Sequence, residues 1–394
     1  MSPQPSEECL TRVRSERLLK IQRELAAEGV DGLLLTDPIN MRYATGLSMM
    51  PLWLATTNFA RYTLIPATGT PVLFEYPEGQ FLAKQHFSDV RPVRYWQSRF
   101  VGDRARNEAN TWAAEIADAL KERVSGMNLG IDRLDHYGFL ALSEAGFSLR
   151  DADAPLQRAR VIKTKDEITL LSHSLDVTET ALKEFENSIK PGVSEHDLLA
   201  AFWAGILKQG GEWCYTRLIS SGSRTNPWFQ EASTRTVSEG ELVGIDTDTI
   251  GPEGYACDIS RTFLCGDGKL TTPQRDAFTV ARDFIEGAIG EFKPGRSFAE
   301  ITDSLPRIPT QYLAQRYPIF AHGIGMDDEP PFLPFPDQTT SAATEGTCLP
   351  GMVLCVECYA GVENGKDGVK LEEQIQITDS GPVKMSRYPL APLL

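Results

Sequence analysis

The chain has 394 residues, with 39 Lys and Arg against 54 Asp and Glu and a formal charge of −15 at pH 7. That length suggests two or three domains and a core that needs no staples. The acidic surplus argues against nucleic acid or an anionic membrane as the partner, because both need a basic face. Any imidazole chemistry is confined to five His, at 86, 136, 173, 196 and 322.

No apolar run nears the roughly 18 residues of a membrane span. The polar start MSPQPSEECL lacks the basic and apolar stretches of a secretory signal. Seven Cys, an odd number in a long chain, do not suggest a disulfide framework. A reduced cytoplasmic protein is the simplest reading.

Residues 10–28 read as an amphipathic helix, with Leu18, Ile21 and Leu25 on one face and Gly29 placed to stop it. A buried strand over 30–35 leads through Thr36-Asp-Pro-Ile into a short helix. Residues 61–65 and 72–76 read as paired strands around a Gly/Pro turn. A helix over 105–124, a strand over 129–132 and a helix over 134–145 complete an alternation that predicts an α/β domain. The pattern breaks between Asp151 and Lys163, which places the boundary between residues 1–155 and 156–394.

Thr164-Lys-Asp-Glu167 is a capping box that opens a long helix, because the Thr hydroxyl and Glu carboxylate can satisfy free N–H groups reciprocally. That helix ends at Lys190-Pro-Gly-Val-Ser194, where another begins. A helix from Pro273 ends in the same way at Lys293-Pro-Gly-Arg-Ser297. Two equivalent helix pairs, each followed by strand-like sequence, suggest a duplicated α+β domain with helices on a bent antiparallel sheet.

Residues 241–263 read as a β-hairpin around Gly251-Pro-Glu-Gly254. Asp246 and Asp248 are two apart and share a face, and Asp258 on the returning arm lies close to opposite them. An acidic pair alone is more often solvated decoration. Further on, however, His322 stands in the Gly-rich strand end Ala321-His-Gly-Ile-Gly325, and Glu357 and Glu372 each stand in an apolar strand. Buried charge of one sign is tolerated when a cation pairs it. An oxygen-rich set with one imidazole suits Mn, Fe or Zn. Cys355-x-x-Cys358 resembles half of a zinc clip, but buried thiols acting as small hydrophobes explain it better.

This order of residues resembles the creatinase/prolidase/methionine-aminopeptidase superfamily, the pita-bread fold, over about residues 160–380, preceded by a smaller creatinase-like α/β domain. The resemblance implies a two-metal site of Asp246, Asp258, His322, Glu357 and Glu372, with Asp248 as a further ligand. Iron is the first choice, with zinc or manganese as alternatives, and a homodimer is implied. Peptidases of the superfamily resemble one another in two further histidines. Here Trp228 and Phe229 stand near the first position and Asp328 at the second, so peptide hydrolysis would lack its usual proton shuttles.

A narrower resemblance fits those departures. Asp37-Pro-Ile-Asn-Met-Arg-Tyr-Ala-Thr45, Pro51-Leu-Trp53, Gly210-Gly-Glu-Trp213, Ser220-Ser-Gly-Ser-Arg-Thr-Asn-Pro-Trp-Phe-Gln-Glu231, Asp246-Thr-Asp248, Cys257-Asp-Ile-Ser-Arg261 and Asp328-Glu329 are similar to dimethylsulfoniopropionate (DMSP) lyases of the DddP type. The resemblance implies β-elimination of DMSP, with Asp328 as the base and Trp53 and Tyr317 at the substrate. The competing expectations are a hydrolase of a small C–N substrate, as creatinase, ectoine hydrolase or prolidase is, and a metal-free binding module. The filled ligand positions argue against the last.

Overall fold

The protein, described as a computed structural model, is defined over residues 5–47, 60–338 and 343–393. It divides into two compact units, 7–160 and 161–394 with the first six residues. Among the described residues no helix is long and apolar enough to cross a membrane. All seven cysteines are buried free thiols.

The first unit is α/β. Helix α1 (Glu7–Glu28) precedes strand β1 (Gly32–Leu35) and helix α2 (Pro38–Thr45). Asp37 caps α2 by accepting from the Ile39 and Asn40 amides, and Pro38 supplies the first-turn residue that needs no donor. Strands β2 (Arg61–Pro66), β3 (Val72–Glu75) and β4 (Val90–Pro92), helix α3 (Ala105–Lys121), strand β5 (Asn128–Ile131), helix α4 (His136–Glu144) and strand β6 (Ser148–Asp151) follow. The sheet order is β4-β3-β2-β1-β5-β6, with β1 antiparallel to β2 and parallel to β5. Trp112, Ile116 and Leu120 of α3 are fully buried, and Trp112 stacks on Trp96 at 4.0 Å between ring centroids. Where the sequence reading broke off, the chain forms helix α5 (Asp153–Val161). Pro155 falls in its first turn, where no intrahelical N–H bond is lost, so it starts this helix rather than interrupting one.

The second unit is α+β and built twice over. Helices α6 (Lys165–Ser188) and α7 (Glu195–Lys208) form one pair, and α8 (Thr272–Ile289) and α9 (Phe298–Asp303) the other. All four carry capping boxes, led by Thr164, Ser194, Thr271 and Ser297. The two Lys-Pro-Gly turns are equivalent in detail. Gly192 and Gly295 have φ of 89° and 88°, a region open to glycine. Their amides donate to Val237 O and Cys348 O at 2.8 and 2.9 Å. The short repeated motif therefore marks a real internal duplication.

The strands are β7 (Trp213–Cys214), β8 (Ile219–Ser221), β9 (Leu242–Ile245), β10 (Thr249–Ile250), β11 (Ala256–Cys257), β12 (Arg261–Leu264), β13 (Ile319–Ile324), β14 (Asp328–Pro334), β15 (Val353–Gly361), β16 (Gly368–Thr378) and β17 (Gly381–Lys384). They form two three-stranded sheets, β11-β10-β7 and β12-β9-β8, and a five-stranded sheet, β14-β13-β15-β16-β17. Phe278, Phe284, Phe320 and Phe335 fill the core under α8, and Phe185, Phe202 and Phe263 the core under α6 and α7.

Candidate active site

The hairpin is regular at its base and near its tip but not between. Ile245 pairs with Arg261 and Thr249 with Cys257. Residues 246–248 and 258–260 lie between these ladders, and all three hairpin aspartates sit there. Asp248 has φ of 37°, an uncommon conformation for a residue with a Cβ. It is held by Thr216, whose hydroxyl donates to Asp248 Oδ2. Asp246 accepts from Ser260 Oγ at 2.6 Å.

Strands β13, β15 and β16 supply the rest. His322 pairs with Cys355, and Glu357 with Glu372 across the β15–β16 ladder. Strand alternation puts Glu372 into the cavity and Glu373 on the opposite face, where it meets the buried Arg261 at 3.2 Å. The first Glu of Leu371-Glu-Glu373 therefore faces the cluster. The glycines of His-Gly-Ile-Gly are steric necessities. A Cβ on Gly323 would lie 2.3 Å from Pro330 O, and one on Gly325 would meet the Glu329 carboxylate. Glu329 pairs with Lys163 at 3.0 Å, both buried, and accepts from the Met326 amide, so it fastens the loop after His322.

A cavity of about 170 Å³ collects these side chains, lined by Asp246, Asp248, Asp258, His322, Glu357 and Glu372 with Asp328 and Tyr317. Ligand atoms of Asp246, Asp258 and Glu372 lie within 4.8 Å of one another, as do those of Asp258, His322 and Asp328. Trp53 lies outside the described residues. His322 Nδ1 is 3.0 Å from Gly323 O, an acceptor, so Nδ1 carries the proton. Its Nε2 faces the Glu372 and Asp258 carboxylates at 3.3 and 3.9 Å, and when protonated donates to Glu372. His322, Cys355 and Glu372 also form a close group. Burial, however, pushes the Cys355 thiol well above its ordinary range and keeps it protonated.

Two residues that the sequence reading missed complete the site. Lys370, on β16, places its ammonium 2.9 Å from Glu357, 3.1 Å from Glu372 and 3.4 Å from Asp246, with almost no exposed surface. Glu357, the single charge in its apolar strand, thus finds its partner on the neighbouring strand. The period-two spacing of Lys370 and Glu372 was the available signal. Tyr215, just after β7, donates its hydroxyl to Asp328 Oδ1 at 2.8 Å. Burial and the Asp248 and Asp328 carboxylates raise its phenol well above the usual range, so it stays a donor. No motif marks it in the sequence.

The electrostatics call for more positive charge. Asp248 and Asp258 are both raised well above the carboxylate range, by burial and then by neighbouring carboxylates. Glu357 is pushed up to about 7 by burial, against the pull of Lys370. Burial opposes ionisation of Glu372 too, but Lys370 and His322 prevail and hold it low. Asp258 Oδ1 is buried with no hydrogen-bond partner among the described residues. An orphaned oxygen among crowded carboxylates, beside an imidazole whose Nε2 faces the same carboxylates, fits a divalent cation.

The comparisons agree with that chemistry. Residues 169–379 match metallopeptidase family M24, and residues 17–162 match the creatinase/prolidase N-terminal domain. The dimethylsulfoniopropionate lyase DddP of Roseovarius nubinhibens is 34% identical over 395 residues, covering 98% of this chain and 88% of the relative. The chain belongs to the DddP family within family M24. DddP of Roseobacter denitrificans is 33% identical over the same share of each chain. The prolidase of Pyrococcus horikoshii has a TM-score of 0.75 at 21% identity, over 96% of this chain and all of that one. The second unit is accordingly the pita-bread domain of a metal-dependent family, and the first a creatinase-type α/β domain.

Proposed function

We propose that this protein is a metal-dependent carbon–sulfur lyase that cleaves DMSP to dimethyl sulfide and acrylate. The observation that carries the reading is 34% identity to a DMSP lyase over nearly the whole chain. The site chemistry supports it. Asp328, held by Tyr215, lies 3.5 Å from His322 Nδ1 at a cavity that His322 alone among the histidines lines. A dipeptidase with the superfamily's usual shuttles would need further imidazoles there.

The six positions Asp246, Asp248, Asp258, His322, Glu357 and Glu372 would hold the metal. Six carboxylates, counting Asp328, face the single ammonium of Lys370, and two divalent cations bring that set close to neutrality. An oxygen-rich set with one imidazole suits iron, manganese or zinc, and iron is the choice the family resemblance implies. Bound metal acts as a Lewis acid toward the substrate carboxylate.

Asp328 takes the proton from the carbon next to that carboxylate. The C–H electron pair becomes the new C=C bond, the C–S bond breaks, and its electrons leave on sulfur as neutral dimethyl sulfide. Tyr215 keeps the Asp328 carboxylate turned into the cavity. Tyr317 offers a π face to the sulfonium, a contact worth about 0.5–2 kcal/mol. The proposed enzyme works in the cytoplasm, in keeping with its buried free thiols, and as the homodimer that the family resemblance implies.

The test is headspace dimethyl sulfide from purified, metal-analysed protein given DMSP. Asp328→Ala is expected to abolish gas release, by about 100-fold or more, with metal content unchanged. No gas from the wild type would sink the lyase reading. Loss of metal in Asp328→Ala would make Asp328 a ligand instead of the base.

A further inference from the structure

Phe229 is a large apolar side chain held out in the open, 64% exposed, at the mouth of the metal cavity. Its backbone has φ of 73°, a left-handed conformation that bulky residues rarely adopt. Strain of this kind persists where surrounding structure enforces it, and it concentrates at functional sites.

The enforcement is visible. The Asn226 side-chain amide donates to Val362 O and Gly365 O at 2.8 and 3.0 Å. The Gln230 amide donates to Arg224 O and Pro227 O, both at 2.9 Å. Trp228 is buried against Tyr359, and a Cβ on Gly244 would come within 2.8 Å of its ring. With Trp228 locked inward and both flanks tied to backbone, Phe229 is driven outward. There its ring lies 6.2 Å from that of Tyr317, nearly parallel at 26°. The other lining groups include six carboxylates and the Lys370 ammonium, which stands 5.7 Å from the Tyr317 ring, so these two rings form an aromatic wall beside a net-anionic, metal-ligating floor.

Such a wall suits one end of a zwitterion. A substrate carboxylate belongs at the metal, and an onium group can face the π clouds without losing a hydrogen bond, since it has none to make. We propose that Phe229, paired with Tyr317, is a specificity-determining residue that selects substrates by their positively charged sulfonium end. This rests on the lyase reading for its substrate, but the wall itself is a binding property that can be measured without turnover.

The probes are trimethylammoniopropanoate and its uncharged isostere, in which a quaternary carbon replaces nitrogen. Both carry the same carboxylate and shape. Calorimetry on the metal-loaded protein should show the cation binding about 10-fold more tightly than the isostere. Phe229→Leu keeps apolar volume but removes the π face, and should cut that preference to about 3-fold or less, while Phe229→Trp keeps it. Metal content should not change in either variant. Equal preference in wild type and Phe229→Leu would overturn the proposal, as would a change of oligomeric state in Phe229→Leu, which would make the ring a subunit contact. Gas release from DMSP with no onium preference refutes the wall and leaves the lyase standing. Onium preference without gas release does the reverse.

Discussion

Replacing Lys370 by Met separates the protein's own cation from the metal. The ammonium stands 2.9 Å from Glu357 and 3.1 Å from Glu372, all three buried. Removing one partner of a buried pair leaves uncompensated charge and costs about 3–5 kcal/mol. In a unit of this size each kcal/mol lowers Tm by about 2–4 °C, so the metal-stripped variant should melt roughly 6–20 °C below the stripped wild type. Bound divalent metal neutralises the same carboxylates, so the metal-loaded variant should lose markedly less. The assay is thermal unfolding with chelator and with saturating metal, for wild type, Lys370→Met and Lys370→Arg. Arginine restores the charge and should recover most of the stripped protein's Tm. A stripped Lys370→Met that melts with the wild type, or an equal loss with and without metal, would refute the view that Lys370 and metal balance the same charges.

Tyr215→Phe removes a 2.8 Å donor from Asp328. A hydrogen bond to a charged group is worth about 1.5–3 kcal/mol, so kcat/KM for DMSP should fall roughly 10-fold or more. Metal content should be unchanged; an unaltered kcat/KM would remove Tyr215 from the site's machinery. In the first unit, Asp132 accepts from the Thr36 and Asp37 amides and from Asn40, yet burial pushes its carboxyl up to about 6. The folded value lies above the unfolded one, so its contribution is greatest at low pH and is lost as pH rises through about 6. With allowance for the residue's partial exposure, denaturant unfolding of this unit should gain about 1 kcal/mol between pH 7 and pH 5 from Asp132. Asp132→Asn should flatten that part of the pH dependence, and parallel curves for the two proteins would count against it.

Most of the site was legible along the chain because its geometry is local. Turn punctuation marks the hairpin that carries Asp246 and Asp248, although the backbone between its two ladders is irregular, and the family resemblance singles out Glu372 over Glu373. The capping box at Thr164 announces a helix start because the hydrogen bonds it makes span only three residues. The repeated Lys-Pro-Gly turns announce the duplication for the same reason. Helix α5 was hidden because a proline in a first turn and one within a helix look alike until the start of the helix is known.

What the tertiary structure alone decided is who meets whom across strands and loops. The β15–β16 register places Lys370 opposite Tyr359 in the ladder, two positions from the Glu357–Glu372 pair and on the same face, and so makes it the site's own cation. The packing of the chain after β7 brings Tyr215 to Asp328, 113 residues away. The clamps on residues 226–230 turn Phe229 outward while Trp228 goes in. Composition and periodicity report which face a residue takes, but register, loop closure and the balance of buried charge depend on partners distant in sequence. The acidic surplus noted at the outset thus has a local expression in a cluster of carboxylates that only the fold could gather around one lysine.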